Sequence, residues 1–180
     1  MALGTVLDPC VHPQSSADTT NEAVGSIAGK RIGIRRDTAW RSWDWVTDEW
    51  EQSLRDLGAD VRYWRAAESV VGKEATARAS GLDAFVEGID VAVFGLCNCG
   101  SCTMQTVTDA LVAVRQGIPT VVVTTENFRP IAESIARLEG HPELRLVEMP
   151  FPLEGRVEPE VRSIARERIA SLFATLGVDA

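Results

Sequence analysis

This chain of 180 residues lacks the sequence features on which several common functions depend. It contains only two histidines, His12 and His141, which argues against a catalytic cysteine–histidine dyad. It carries neither a P-loop nor a Gly-x-Gly-x-x-Gly segment, so nothing indicates a flavin or dinucleotide. The longest apolar runs are far too short to cross a bilayer. No basic run is present, and 18 Lys and Arg against 26 Asp and Glu give a net charge of −8. We therefore expect neither nucleic acid nor a membrane surface as a partner.

The ends and the composition predict one folded domain behind a loose arm. The N-terminus has no cationic flank followed by an apolar stretch, so we expect no signal peptide and a cytoplasmic location. Residues 1–28 are rich in Ser, Thr, Pro, Asp and Asn without any period, which predicts an extended or partly disordered arm. Residues 29–180 are then predicted to form a single α/β domain, long enough to bury a core.

From Gly29 onward, apolar segments of strand length alternate with helical periodicities. Residues Trp43, Val46, Trp50 and Leu54, for example, recur every three or four positions, as on the buried face of a helix. Strands are predicted at 31–34, 60–64, 89–94, 119–123 and 144–147. This alternation is typical of a three-layer domain with a parallel sheet between helices.

Two strand orders fit a sheet of this kind. They are the flavodoxin-like order 2-1-3-4-5 and a Rossmann-type half with 3-2-1 at its centre; five strands favour the first. Ligands of such sheets bind beyond the carboxyl ends of the strands, at the switch point between the first and third strands. The third predicted strand leads directly into a cluster of cysteines, so we expect the functional site there.

The segment GLCNCGSCT, residues 95–103, holds three of the four cysteines of the chain. Cys99 and Cys102 form a Cys-x-x-Cys pair between a buried strand and a helix, with Cys99 predicted near the N-cap and Cys102 in the first turn. The free amide groups and the dipole of a helix N-terminus favour thiolate over thiol. Gly100 and Ser101 are small enough to let the pair close into a disulfide. The pattern indicates redox or nucleophilic thiol chemistry.

A metal site is the alternative interpretation of the same segment. Cys97, Cys99 and Cys102 could bind zinc or a transition metal as thiolates. A tetrahedral metal site requires a fourth ligand or a bound water, and the chain has no second Cys-x-x-Cys to supply further ligands. We therefore favour no cofactor, and interpret Cys97 as a small packed residue.

The same segment resembles the UGSC-motif proteins, whose first motif position can hold selenocysteine. The match is Cys99-Gly100-Ser101-Cys102, preceded by Asn98. It extends to Leu7–Pro9, Gly29–Gly33 and Gly117–Thr120, and so covers most of the chain. The resemblance implies that the atom at position 99 is the nucleophile or redox centre, with Cys102 as the resolving cysteine. It names no substrate.

One segment departs from the pattern of that family. A His-Pro-Leu-Gly-Gly-like segment is expected after the fifth strand, and this chain has Phe151-Pro152-Leu153-Glu154-Gly155. Any role of that histidine is therefore absent here.

Charged residues beyond the first and fourth strands are candidates for the surroundings of the thiols. Arg35 or Arg36 could stabilise a thiolate or hold a substrate carboxylate, although both could equally be solvated loop charges. Asp37 and Glu126 each follow a strand end and are candidates for general acid or base work.

Two further pairs could complete the site. Trp40 and Trp45 do not fit the buried stripe of their helix, so they could line the binding pocket or contribute to an oligomer interface. Thr124 and Thr125, after the fourth strand, could donate hydrogen bonds at the rim.

The leading hypothesis is a thiol-dependent enzyme, an oxidoreductase or transferase, acting on a small molecule. Cys99 would be the nucleophile or redox centre and Cys102 would resolve the intermediate, in reductive cleavage or in thiol or sulfur transfer. The alternatives are a metal–thiolate protein and a non-catalytic subunit. The expected partners are the small-molecule substrate and either a second copy of the chain or a related chain.

Overall fold

The structure, a computed structural model, describes residues 22–66 and 73–179, without the side chains of Lys73 and Glu74. These residues form a five-stranded, all-parallel sheet of order β2-β1-β3-β4-β5, which confirms the predicted flavodoxin-like α/β fold. The strands are β1 (Arg31–Arg36), β2 (Asp60–Arg65), β3 (Val91–Cys97), β4 (Thr120–Thr125) and β5 (Arg145–Met149). The helices are α1 (Arg41–Asp56), α2 (Lys73–Glu87), α3 (Gly100–Arg115), α4 (Arg129–Leu138) and α5 (Glu158–Leu176).

The first, third and fourth strands run further toward their carboxyl ends than the sequence pattern predicted. The parallel ladder continues to the pairs Arg36–Arg65 and Cys97–Thr124. Arg35, Arg36, Cys97, Thr124 and Thr125 are consequently strand residues rather than loop residues. Hydrogen bonds to a neighbouring strand satisfy their backbone N–H and C=O groups. Because this stabilisation does not depend on apolar side chains, the apolar pattern does not reveal the full length of these strands.

The helices cover the two faces of the sheet in two groups. Helices α1 and α5 enclose one apolar cluster, to which the predicted stripe Trp43, Val46, Trp50 and Leu54 contributes. Helices α2, α3 and α4 enclose the other cluster. Strand β3 is buried along its whole length, so Leu96 faces the first cluster and Cys97 the second.

Trp43 connects helix α1 to the ends of two strands. Its indole Nε1–H donates a hydrogen bond of 2.9 Å to the carbonyl oxygen of Arg35. Its ring packs on Gly95, where an added Cβ would lie 2.5 Å from a ring carbon. Only glycine fits at this point of β3, because a real Cβ contact is never that short. The first helix thereby abuts the segment that leads to the cysteines.

The described part of the predicted arm lies against the domain. Gly25 forms a parallel bridge with Val178, and Ile27 is buried in the cluster of α1 and α5. Residues 1–21 lie outside the described residues, so the arm prediction for them stays a prediction. Among the described helices, none combines the length and the apolar character needed to cross a bilayer.

Candidate thiol site

The turn between β3 and α3 carries the Cys-x-x-Cys pair. Cys99 is the N-cap residue of α3 with an extended backbone, φ −152° and ψ 167°, and Cys102 lies in the first turn, as predicted. The backbone N–H of Cys102 donates to the Sγ of Cys99 at 3.1 Å. The Thr103 hydroxyl donates to the Cys99 carbonyl oxygen at 2.6 Å and fixes the turn from within the helix. Sulfur therefore takes the place that a Ser, Thr or Asp oxygen occupies in most helix caps.

The two sulfurs of the pair lie close together. The Cα atoms of Cys99 and Cys102 are 5.2 Å apart, within the usual range for a disulfide, and the sulfurs are placed as a disulfide pair. Both residues are partly buried, whereas Gly100 and Ser101 are exposed. A Cβ added at Gly100 would meet no described atom within 4 Å, so the outer side of the turn is open. This geometry is compatible with a disulfide between Cys99 and Cys102.

Cys97 has a different environment from the other two cysteines of the motif. It is fully buried at the end of β3, and this burial raises the pKa of its thiol to about 12. The positive charge of Arg35 and the hydroxyls of Thr103 and Thr106 lower that pKa only in part. Cys97 is a protonated core thiol at neutral pH, and a poor nucleophile.

Strand β4 holds the cysteine turn through Thr125. The fully buried Thr125 hydroxyl lies 3.2 Å from the Cys97 carbonyl oxygen and 3.1 Å from the Asn98 Oδ1. One hydroxyl proton can serve one of these acceptors at a time. Thr124 is also buried, and its hydroxyl donates to the carbonyl oxygen of Thr125. Of the two predicted hydroxyl donors, Thr125 contacts the cysteine segment and Thr124 bonds to its own strand.

Arg35 is a buried structural cation rather than a loop charge. Only 3% of its side chain is exposed. Its Nε donates to Asp109 at 3.0 Å, and its Nη1 donates to the carbonyl oxygen of Gly95 at 2.8 Å. The same nitrogen lies 3.4 Å from the Oδ2 of Asp37. Arg35 thus connects the end of β1 to the segment of β3 that leads into the motif, and to helix α3.

Asp109 is the centre of this buried charge cluster. Besides Arg35, it accepts two hydrogen bonds from Arg78 of α2, at 3.0 and 2.6 Å, and one from Gln105 at 2.9 Å. Sequence reasoning did not identify Arg78 or Asp109 as partners. One feature of the sequence does indicate such a partner. Asp109 shares its helix face with the buried residues Thr106 and Ala113, and a single acidic side chain on a buried face needs a cation beside it.

Arg36 and Asp37 serve the start of helix α1. The Arg36 guanidinium donates to the Thr47 hydroxyl at 2.7 Å and to Asp48 at 2.6 Å, and it lies over the Tyr63 ring. The Oδ1 of Asp37 accepts from the backbone N–H groups of residues 39 and 40, as in an Asx turn. Glu126 lies exposed in a short 3-10 turn after β4.

Trp40 and Trp45 line a cavity of about 590 Å³ beside the amino end of α1. The rest of its wall comes from the segment between β1 and α1, from α1 itself and from the start of α5. Both tryptophans also pack against the cluster of α1 and α5. Strand β1 lies next to β3 in the sheet, so the segment that follows β1 and the cysteine turn that follows β3 both leave the carboxyl edge of the sheet, where α1 then covers one face and α3 the other.

No group of three or more His, Cys, Asp or Glu side chains within residues 22–66 and 73–179 is arranged to hold a metal ion. Cys97, Cys99 and Cys102 thus do not form a ligand set in this conformation. Cys97 points into the core cluster on the α3 side, while Cys99 caps the helix.

Comparison with known proteins gives distant structural likenesses and one family. A flavo di-iron protein from Thermotoga maritima with a histidine-to-alanine mutation is 12% identical, with a TM-score of 0.44; 82% of this chain is covered, and the chain spans 38% of that protein. The protein TesA is 15% identical with a TM-score of 0.43, and the coverage is 79% of this chain and 99% of TesA. No curated protein matches the chain. The model of the UGSC family matches residues 5–178, and the chain therefore belongs to the UGSC family.

Proposed function

We propose that this protein is a thiol-dependent oxidoreductase or thiol transferase in which Cys99 attacks a small substrate and Cys102 resolves the product. One observation carries the proposal. The sulfur of Cys99 is the N-cap acceptor of α3, and the Cα atoms of Cys99 and Cys102 are 5.2 Å apart, within the usual range for a disulfide. The resemblance to a family in which selenium can replace sulfur at this position supports the same assignment.

The helix terminus supports Cys99 as the nucleophile. A thiolate accepts a hydrogen bond better than a thiol, so the N–H of Cys102 and the helix dipole stabilise the reactive form. The Ser101 hydroxyl, 3.4 Å from the same sulfur, can add a second donor. Cys97 is a poor candidate for the nucleophile, because burial raises the pKa of its thiol to about 12.

The reaction is thiol–disulfide exchange in its simplest form. The Cys99 thiolate attacks a sulfur of a substrate R–S–S–R′, forms Cys99–S–S–R and releases R′–S⁻. The Cys102 thiolate then attacks the Cys99 sulfur and releases R–S⁻, which leaves the Cys99–Cys102 disulfide. The substrate gains the two electrons that the dithiol loses, and an external dithiol reductant restores the pair.

Alkylation across a pH series tests the proposal directly. In the reduced protein, iodoacetamide should modify Cys99 with a midpoint below the ordinary thiol value of about 8.5. Oxidation should remove two hydrogen atoms per chain by intact mass, and peptide mapping should find the Cys99–Cys102 bond. Cys102→Ser should accumulate a mixed disulfide on Cys99 when a small disulfide is supplied, while Cys99→Ser should form none.

Cys97→Ala is the matched control, since it should leave both the midpoint and the mixed disulfide unchanged. An ordinary midpoint at Cys99 would refute the activated nucleophile. Stoichiometric zinc or copper in the purified protein, lost in Cys97→Ala as readily as in Cys99→Ser, would favour the metal–thiolate alternative instead.

A further inference from the structure

The cavity beside α1 combines two aromatic faces with groups that can bind polar atoms. It is open to solvent on one side, and its volume of about 590 Å³ lies within the range of small-ligand pockets. Trp40 precedes the first turn of α1 and Trp45 lies one turn further along. The segment that leads to the cavity leaves β1 where β1 adjoins β3, and ligands of parallel sheets bind at such a switch point.

Most charges in this wall already have a partner. Asp44 accepts from Arg65 at 3.0 Å. Asp48 and Glu158 lie 3.7 and 2.7 Å from the guanidinium of Arg162. These carboxylates are neutralised by cations of the protein itself, and so they do not indicate a cationic ligand.

Arg41 is the exception among the charged residues of the wall. In the described part of the chain, no carboxylate lies within ion-pair distance of its guanidinium. The guanidinium instead lies over the Trp45 ring, 5.4 Å from the centroid. It is exposed, positively charged and held against a flat surface. A guanidinium in this position can bind a carboxylate or phosphate with two parallel hydrogen bonds.

Trp40 contributes a second group without a partner. Its indole Nε1 is buried and has no hydrogen-bond acceptor among the described residues. By contrast, the buried indoles of Trp43 and Trp50 each donate to a backbone carbonyl, at 2.9 and 2.8 Å. A buried donor without an acceptor is rare in folded proteins. Because Nε1 has no accessible surface of its own, a ligand oxygen can accept from it only if the Trp40 ring turns toward the cavity.

We propose that this cavity binds a small planar organic anion, whose carboxylate or phosphate pairs with Arg41 and whose flat body lies against Trp40 and Trp45. Arg35 and Arg36, the cations that the sequence suggested for this purpose, are bound to Asp109 and to Asp48. That the anion is the substrate of the thiols rests on the proposed function; the binding itself does not.

Indole NMR with named probes tests the site. The protein is labelled with ¹⁵N, and benzoate, phenyl phosphate and the neutral benzamide are titrated against it. The Trp40 Nε1–H signal, assigned with Trp40→Phe, should move and saturate with an anion, while the Trp43 and Trp50 signals stay in place. Saturation with benzoate identifies a carboxylate site, and saturation with phenyl phosphate alone identifies a phosphate site.

Substitutions separate the parts of the site. Arg41→Gln should weaken anion binding by about tenfold or more, the usual effect of losing a charged hydrogen bond, and Arg41→Lys should recover part of it. Arg166→Gln is the matched control, because Arg166 is an exposed arginine that pairs with Glu49 outside the cavity. No saturable movement of the Trp40 signal, equal affinity for benzamide, or unchanged affinity in Arg41→Gln would each overturn the proposal.

Binding and thiol chemistry can fail independently. The double variant Cys99→Ser, Cys102→Ser should bind the anion as the unmodified protein does. Saturable binding together with ordinary alkylation at Cys99 would retain the site and refute the thiol enzyme. Activated thiols without binding would refute the site alone.

Discussion

Asp109→Asn removes the negative charge at the centre of the buried cluster that supports the thiol site. Asp109 is 2% exposed and accepts hydrogen bonds from three side chains: Arg35, Arg78 and Gln105. In the variant the two guanidinium groups face each other across a neutral amide. Arg35 itself is 3% exposed, so water cannot take over the lost charge.

The expected loss of stability follows from this geometry. Removing one partner of a buried ion pair costs about 3–5 kcal/mol, because the remaining charge stays buried without compensation. The Asp37 carboxylate, 3.4 Å from Arg35 Nη1, still compensates part of the Arg35 charge, and asparagine keeps the shape and one acceptor oxygen. We therefore expect the lower end of this range, about 3 kcal/mol. For a domain of this size each kcal/mol lowers the melting temperature by roughly 2–4 °C, so the variant should melt about 6–12 °C lower.

Urea unfolding followed by circular dichroism measures this free energy. Asp60→Asn is the control, since Asp60 and its partner Arg62 are 51% and 47% exposed and such a pair contributes about 1 kcal/mol or less. If Asp109→Asn lowers the free energy of unfolding no more than Asp60→Asn does, the view that the cluster is a buried, mutually dependent unit is refuted.

Three further predictions concern single residues. The Cys97 thiol, whose pKa is raised to about 12 by burial, should resist iodoacetamide in the native protein and react only on unfolding in urea; rapid native alkylation would contradict its burial. Gly95→Ala should lose roughly 1–3 kcal/mol in urea unfolding, because its methyl would lie 2.5 Å from the packed indole, whereas Gly100→Ala should change little. Hydrogen bonds from Arg31 lower the Asp90 pKa to about 2, so Asp90 stabilises the fold above its ordinary pKa of 3.8, and this contribution disappears as the pH falls through about 2. Asp90→Asn should remove that part of the pH dependence in acid titrations of stability; the effect is small, because the pair is more than a third exposed.

Arg35 and Arg36 lie in surroundings that differ from those that the sequence predicts. The sequence predicts both as loop charges beside the thiols, whereas both are residues of strand β1. Arg35 turns inward to a carboxylate 74 residues away, and Arg36 turns toward α1 and the ring of Tyr63. Adjacent strand residues point to opposite faces, so the two arginines could not share one role. Their separation depends on where β1 ends, and the apolar pattern predicts that end at Ile34.

The sequence by itself determined the alternation of strands and helices, the parallel sheet and the position of Cys99 at a helix start. These properties follow from local periodicity and from the geometry of strand–helix junctions, which a few neighbouring residues specify. Tertiary structure alone decided the partners of Asp109, the separation of Cys97 from the Cys99–Cys102 pair and the unpartnered Arg41 and Trp40 at one cavity. Each of these depends on side chains that are distant in the chain and adjacent in space, and no local pattern specifies which charge will meet which.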